Sequence, residues 1–123
     1  MESVLVDSDV AIDYLRGSQE AADLLGELWK ENRGYLSILS VYELYAGMRA
    51  VEQGDTEAFI NACNIEPVTV RIAKKAGEIY RHWRSKGKTI TSIDCMIAAT
   101  AALHKHKIAT RNKDHYPEKG LLL

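Results

Sequence analysis

Three short apolar runs, Ser3-Val4-Leu5-Val6, Tyr35-Leu36-Ser37-Ile38-Leu39 and Lys107-Ile108-Ala109-Thr110, are separated by longer stretches of helical periodicity. Runs this short, bounded by polar residues, read as strands buried on both faces. Helices between such strands act as crossovers, which implies a mainly parallel sheet with right-handed connections. The expected fold is therefore α/β, a three-layer α/β/α sandwich. Residues 64–69, with Pro67 inside them, add an edge strand or extended connector, and Leu121-Leu122-Leu123 offers a last edge strand.

The helical stretches carry their own punctuation. A short helix over about residues 9–16 is closed by Gly17, and a second over 19–32 places Ala21, Leu24, Leu25, Leu28 and Trp29 on one face before Gly34 stops it. Ser40 and Glu43 form an S-x-x-E capping box at the start of a third, with Val41, Leu44, Tyr45 and Met48 on its stripe. A short helix follows through Phe59 and Cys63. Over 70–86, Ile72, Ala76, Ile79, Tyr80 and Trp83 line the inner face, while Arg71, Lys74, Lys75, Arg81 and Arg84 lie outside. A chain of 123 residues with no repeat or linker fits one domain, 1–123.

The net charge of −1 hides a division. Residues 1–66 hold 13 acids against 4 Lys or Arg, and residues 67–123 hold 4 against 12. The first part suits cations or a basic partner, the second phosphates, unless folding interleaves and cancels them. Cys63 and Cys95 make neither a disulfide framework nor a zinc spacing, which fits a reducing, cytoplasmic setting. No apolar run reaches the roughly 18 residues of a membrane span, so no membrane association is expected.

Residues 91–101 form an almost wholly apolar helix with one carboxylate, Asp94, in its first turn. Thr91 as N-cap and Asp94 three residues on make a loose capping box, favoured by the helix dipole. Alternatively, Asp94 belongs to an acidic metal site. Asp7 stands at the end of the first strand, Glu43 and Asp94 at helix starts, and Arg111-Asn112-Lys113-Asp114 after the last strand. In a parallel sheet these positions can meet in one crevice. Crowded carboxylates need a divalent cation to stay ionised, and all-oxygen ligands suit Mg2+ or Mn2+. Such an ion can polarise a phosphoryl oxygen and activate water, which is the chemistry of phosphodiester hydrolysis.

The stretches Val4-Leu5-Val6-Asp7-Ser8-Asp9, Ser40-Val41-Tyr42-Glu43-Leu44-Tyr45-Ala46-Gly47, Ser92-Ile93-Asp94-Cys95-Met96-Ile97-Ala98-Ala99-Thr100-Ala101 and Ala109-Thr110-Arg111-Asn112 together resemble the PIN-domain nucleases, most closely the toxins of VapBC-type toxin–antitoxin pairs. The resemblance implies a PIN-like fold and a Mg2+-dependent endoribonuclease, with Mn2+ able to substitute. It implies that Asp7, Glu43 and Asp94 bind the metal and activate water, and that Ser8 supports the site. It also implies an RNA substrate, a small antitoxin whose basic side chain reaches the acids, and a homodimer. The chain departs from the family pattern at the fourth position, where Asn112 has the place and Asp114 the charge. Thr110 and Arg111 fall where substrate would be held; Arg111 binds the scissile phosphate or pairs with a nearby acid.

Two other readings compete. Asp7-Ser8-Asp9 after a strand matches the phosphatase pattern of haloacid dehalogenases, with Asp7 as nucleophile, although the later lysine and acidic pair of that family have no counterpart. A catalytically idle module that binds RNA or a partner through the same crevice is the other. Asp13 reads as solvated, His82, His104 and His106 as helix-surface or dipole partners, and Cys95 as core.

Overall fold

The computed structural model describes residues 2–123. Four strands, β1 (Val4–Val6), β2 (Gly34–Ser37), β3 (Asn64–Glu66) and β4 (Lys107–Ala109), form one sheet in the order β3-β2-β1-β4, and every pairing is parallel. Six helices connect them: α1 (Ser8–Leu15), α2 (Gln19–Lys30), α3 (Ile38–Gly47), α4 (Gln53–Ala62), α5 (Val70–Ser85) and α6 (Ser92–His104).

The alternating side chains of the strands separate two cores. Val4, Val6 and Leu36 pack with Val10, Leu25, Leu28, Leu44 and Phe59 from the first four helices. Leu5 and Ile108 face the other way, against Ile97, Ala98 and Ala101 of α6. Beneath α5, Ile72 and Ala76 meet Cys95 and Ala99, so Cys95 is core, as expected. The result is the α/β/α sandwich anticipated from the short apolar runs. At β1 all three residues are buried, which is why the run shows no polar alternation.

Several local readings are corrected. The third helix starts at Ile38, capped by Ser37, whose hydroxyl accepts from the Leu39 N–H at 3.1 Å. Ser40 lies inside it, buried, and its hydroxyl has no hydrogen-bond partner. Strand β2 begins at Gly34 and ends by Ser37, which moves the helix start three residues earlier than the S-x-x-E pattern placed it. Glu43 therefore sits in the second turn rather than at the start. Gly34 is the first strand residue; the chain reverses at Asn32, whose φ is 54°. Gly17, with φ of 90°, does close α1 in the left-handed region.

Leu121–Leu123 is not a strand. A 3-10 turn, Lys119–Leu121, uses the residues a strand would need, leaving one bridge between Leu122 and Ile108. His106 is not a surface residue: it is buried, its Nδ1 2.5 Å from Ser3 Oγ and its Nε2 2.8 Å from Glu66 Oε2, with the Tyr35 ring tilted against it at 4.4 Å. Among the described residues no helix is long and apolar enough to cross a membrane.

Candidate active site

Strand β1 delivers Asp7 at its carboxyl end, where it becomes the N-cap of α1. Its Oδ1 accepts from the Ser8 N–H at 2.9 Å, and its backbone N–H donates to Ala109 O across to β4. Oδ2 accepts two hydroxyls, Thr110 Oγ1 and Tyr116 Oη, each at 2.9 Å. Only 7% of the residue is exposed. Burial raises its pKa above the usual 3.8; the Tyr116 and Thr110 hydroxyls oppose that, and the Asp9 charge adds to it.

Asp94 arrives from the opposite side of the sheet. Thr91 caps α6, its Oγ1 accepting from the Asp94 N–H at 3.2 Å. That bond uses only the Asp94 backbone, so the carboxylate is available to the crevice. The capping and metal readings of this residue are thus compatible. Oδ1 lies 3.4 Å from the Tyr116 hydroxyl, and Oδ2 lies 3.3 Å from His115 Nδ1. Glu43 projects from α3 and accepts from Ser8 Oγ at 2.9 Å.

These groups open onto a crevice of about 390 Å³ at the carboxyl ends of the strands. Asp7, Asp9, Glu43, Asp94 and Asn112 line it with His115, and no Lys or Arg does. The structure thus gathers Asp7, Ser8, Glu43, Asp94 and Asn112. Asp114 is exposed within the turn Lys113–His115 and does not line the crevice. Thr110 lies beneath the crevice, bonded to Asp7, and its Oγ1 also accepts from the Asn112 N–H at 3.0 Å. Arg111 turns away: its guanidinium forms a two-pronged pair with Asp13, so Asp13 is paired rather than merely solvated.

Sequence reasoning overlooked Tyr116 and Asp9. Tyr116 is buried and spans two acids that lie on different elements; its own pKa is driven up by burial, then by the neighbouring Asp7 and Asp94 charges. The available signal was an aromatic hydroxyl in a polar segment, since a buried tyrosine needs a partner for its O–H. Asp9 accepts from the Arg111 N–H at 2.8 Å and the Val10 N–H at 2.8 Å, holding the β4 exit loop against α1.

The donor set fits a hard divalent cation. Four carboxylates and an amide offer oxygen donors, and no Lys or Arg among the lining residues answers their charge. No three acidic, His or Cys side chains among the described residues converge on one point. An ion of the Mg2+ type keeps several waters and takes only one or two carboxylates directly. For Asp7 as a phosphatase nucleophile the crevice offers no partner lysine.

The PIN-domain family profile matches residues 4–119. Ribonuclease VapC10 of Mycobacterium tuberculosis is 37% identical over 114 residues, covering 93% of this chain and 86% of that protein. Ribonuclease VapC19 of the same organism is 39% identical, covering 92% and 91%. Among solved structures, VapBC2 from Rickettsia felis, bound to a DNA fragment from its promoter, shares the fold with a TM-score of 0.86 and 18% identity, covering 98% of this chain and 95% of that one. A toxin–antitoxin complex from Klebsiella pneumoniae gives a TM-score of 0.84 at 24% identity, covering 98% and 96%. With a crevice of acids at the strand ends, and matches spanning nearly all of both chains, the protein belongs to the PIN-domain family and, within it, to the VapC ribonucleases.

Proposed function

We propose that this chain is a Mg2+-dependent endoribonuclease, with Mn2+ able to substitute, that acts as the toxin of a toxin–antitoxin pair. PIN-domain ribonucleases are metal-dependent as a class. The observation that carries the reading is that Asp7, Glu43 and Asp94 all line one crevice that has no lining Lys or Arg.

A divalent ion held by these acids would polarise a phosphoryl oxygen and lower the pKa of a bound water. The chain's own residues supply orientation. Ser8 fixes Asp7 through its N–H and Glu43 through its hydroxyl, so one residue sets two acids. Thr110 and Tyr116 hold the inner oxygen of Asp7, and Tyr116 also reaches Asp94. Ser8, Thr110 and Tyr116 are positioning residues in this scheme, while Asn112 presents its amide to the substrate side. The Arg and Lys side chains on the outer face of α5 are suited to the RNA backbone, so binding should weaken as salt rises.

Two protein partners are consistent with this reading. An aromatic cavity of about 400 Å³ among Tyr14, Trp29, Phe59 and Ala62 suits the apolar side chains of a small antitoxin. Ile38, Tyr42 and Tyr45 expose a stripe along α3, beside Glu43, that favours a second copy of the chain.

Cleavage of a mixed RNA pool in Mg2+, in EDTA, and by Asp7→Asn tests the mechanism. The variant should lose about 10²–10⁴-fold in rate, and EDTA should abolish cutting. Undiminished cleavage by Asp7→Asn would sink the metal–acid scheme, and RNA binding without cutting under any divalent ion would favour the idle module.

A further inference from the structure

A second cavity, of about 350 Å³, lies between α5, α6 and the segment after β4. Its walls are Ile79, Trp83, Ile90, Ala98 and Leu121, and the Tyr116 ring closes one side. Two features tie it to the acidic crevice. His115 lines both spaces. Tyr116 lines this cavity while its hydroxyl holds Asp7.

The rim discriminates among occupants. Glu118 stands there with His82 and with Glu78, whose carboxylate lies 3.9 Å from Lys75 Nζ. Two carboxylates disfavour a phosphate inside, whereas Arg71, Lys74, Arg81 and Arg84 on the same helix favour a phosphate backbone outside. A flat, apolar group carrying N–H donors, attached to an anionic chain, satisfies both conditions. We infer that this cavity is a subsite for one unstacked base of the RNA, next to the nucleotide at the acids, and that it favours bases with an exocyclic amine over uracil. The inference rests on the ribonuclease reading for its choice of ligand. Stacking on Trp83 provides affinity, and the acceptors Glu78 and Glu118 provide the preference, because an ionised carboxylate accepts from an exocyclic amine and repels the carbonyl oxygen that uracil carries in its place.

Binding is measured without cleavage, in EDTA, through tryptophan emission. The ligands are short single-stranded homopolymers of adenosine, cytidine and uridine and an abasic ribose-phosphate polymer. Adenosine and cytidine polymers should quench the emission and bind about tenfold more tightly than the others, in line with the worth of one stacked base. Trp83→Phe should lose the quench. Ala102→Leu, which narrows the cavity with a good helix former, should weaken binding about tenfold. Equal binding of the abasic polymer, or an unchanged affinity in Ala102→Leu, would overturn the subsite. A parallel Mg2+ assay separates the two readings. RNA that is cut but does not quench removes the subsite and leaves the nuclease; RNA that quenches but is never cut removes the nuclease and leaves the subsite.

Discussion

Two polar clusters are built on the same small sheet, and they are balanced in opposite ways. Around His106 every partner has a complement: Nε2 lies 2.8 Å from Glu66 Oε2 and Nδ1 lies 2.5 Å from Ser3 Oγ. The cluster is buried, closed and needs nothing further. Around Asp7, Glu43 and Asp94 the acceptors outnumber the donors, and the space between them opens outward. Buried polarity that is fully paired holds a structure together, whereas surplus charge of one sign, kept at some cost, indicates a missing counter-charge.

The sharpest way to break this comparison is to damage each cluster and measure metal-free unfolding in urea. His106→Ala removes a packed ring and two hydrogen bonds, and should cost about 3 kcal/mol. Asp94→Asn removes one of several repelling charges, and should change stability by less than about 1 kcal/mol. Equal losses would mean that the acidic cluster is structural too.

Adding Mg2+ should repair one cluster and ignore the other. At a hundred times its Kd the ion should stabilise the wild type by about 2.7 kcal/mol, with the same gain in a folded His106 variant. The pH dependence has a definite sign. Burial raises the Asp7 pKa above 3.8, so in the metal-free protein the folded state keeps a proton that the unfolded chain releases. The Asp7 contribution to stability therefore falls as pH rises from 3.8 through the folded value. Because the ion needs the ionised form, Mg2+ stabilisation should shrink as pH falls through that same value, as a calorimetric titration across acid pH would reveal.

The smallest expected effect concerns the fourth position. Asn112→Ala should slow RNA cleavage about tenfold, the worth of one hydrogen bond near charge, whereas Asp114→Asn, outside the crevice, should leave the rate unchanged. The reverse order would require the loop after β4 to rearrange during turnover.

Much of this was legible in the sequence, for physical reasons. A strand buried on both faces leaves a run such as Val4-Leu5-Val6, and the acid that ends it marks a crevice in any parallel sheet. Thr91 caps its helix as expected, its hydroxyl accepting from the Asp94 N–H. Ser40 misled because Ser37-Ile38-Leu39-Ser40 contains two residues able to cap, and the extent of β2, a tertiary matter, chose the first. Glu43 was found for its position in a motif, but its hydrogen bond to Ser8 depends on how α1 and α3 pack. His106 and Tyr116 were beyond local reasoning, since each is defined by partners at the far end of the chain.

Tyr116 has a consequence for the order in which the protein is made. The hydroxyl that steadies Asp7 comes 109 positions later in the sequence, after the last strand of the sheet. A nascent chain can pair β1 with β2 and bury much of its first core, yet the link between Asp7 and Asp94 cannot exist until Tyr116 has emerged. The side-chain bridge between the two acids is thus completed only by the segment that follows the last strand.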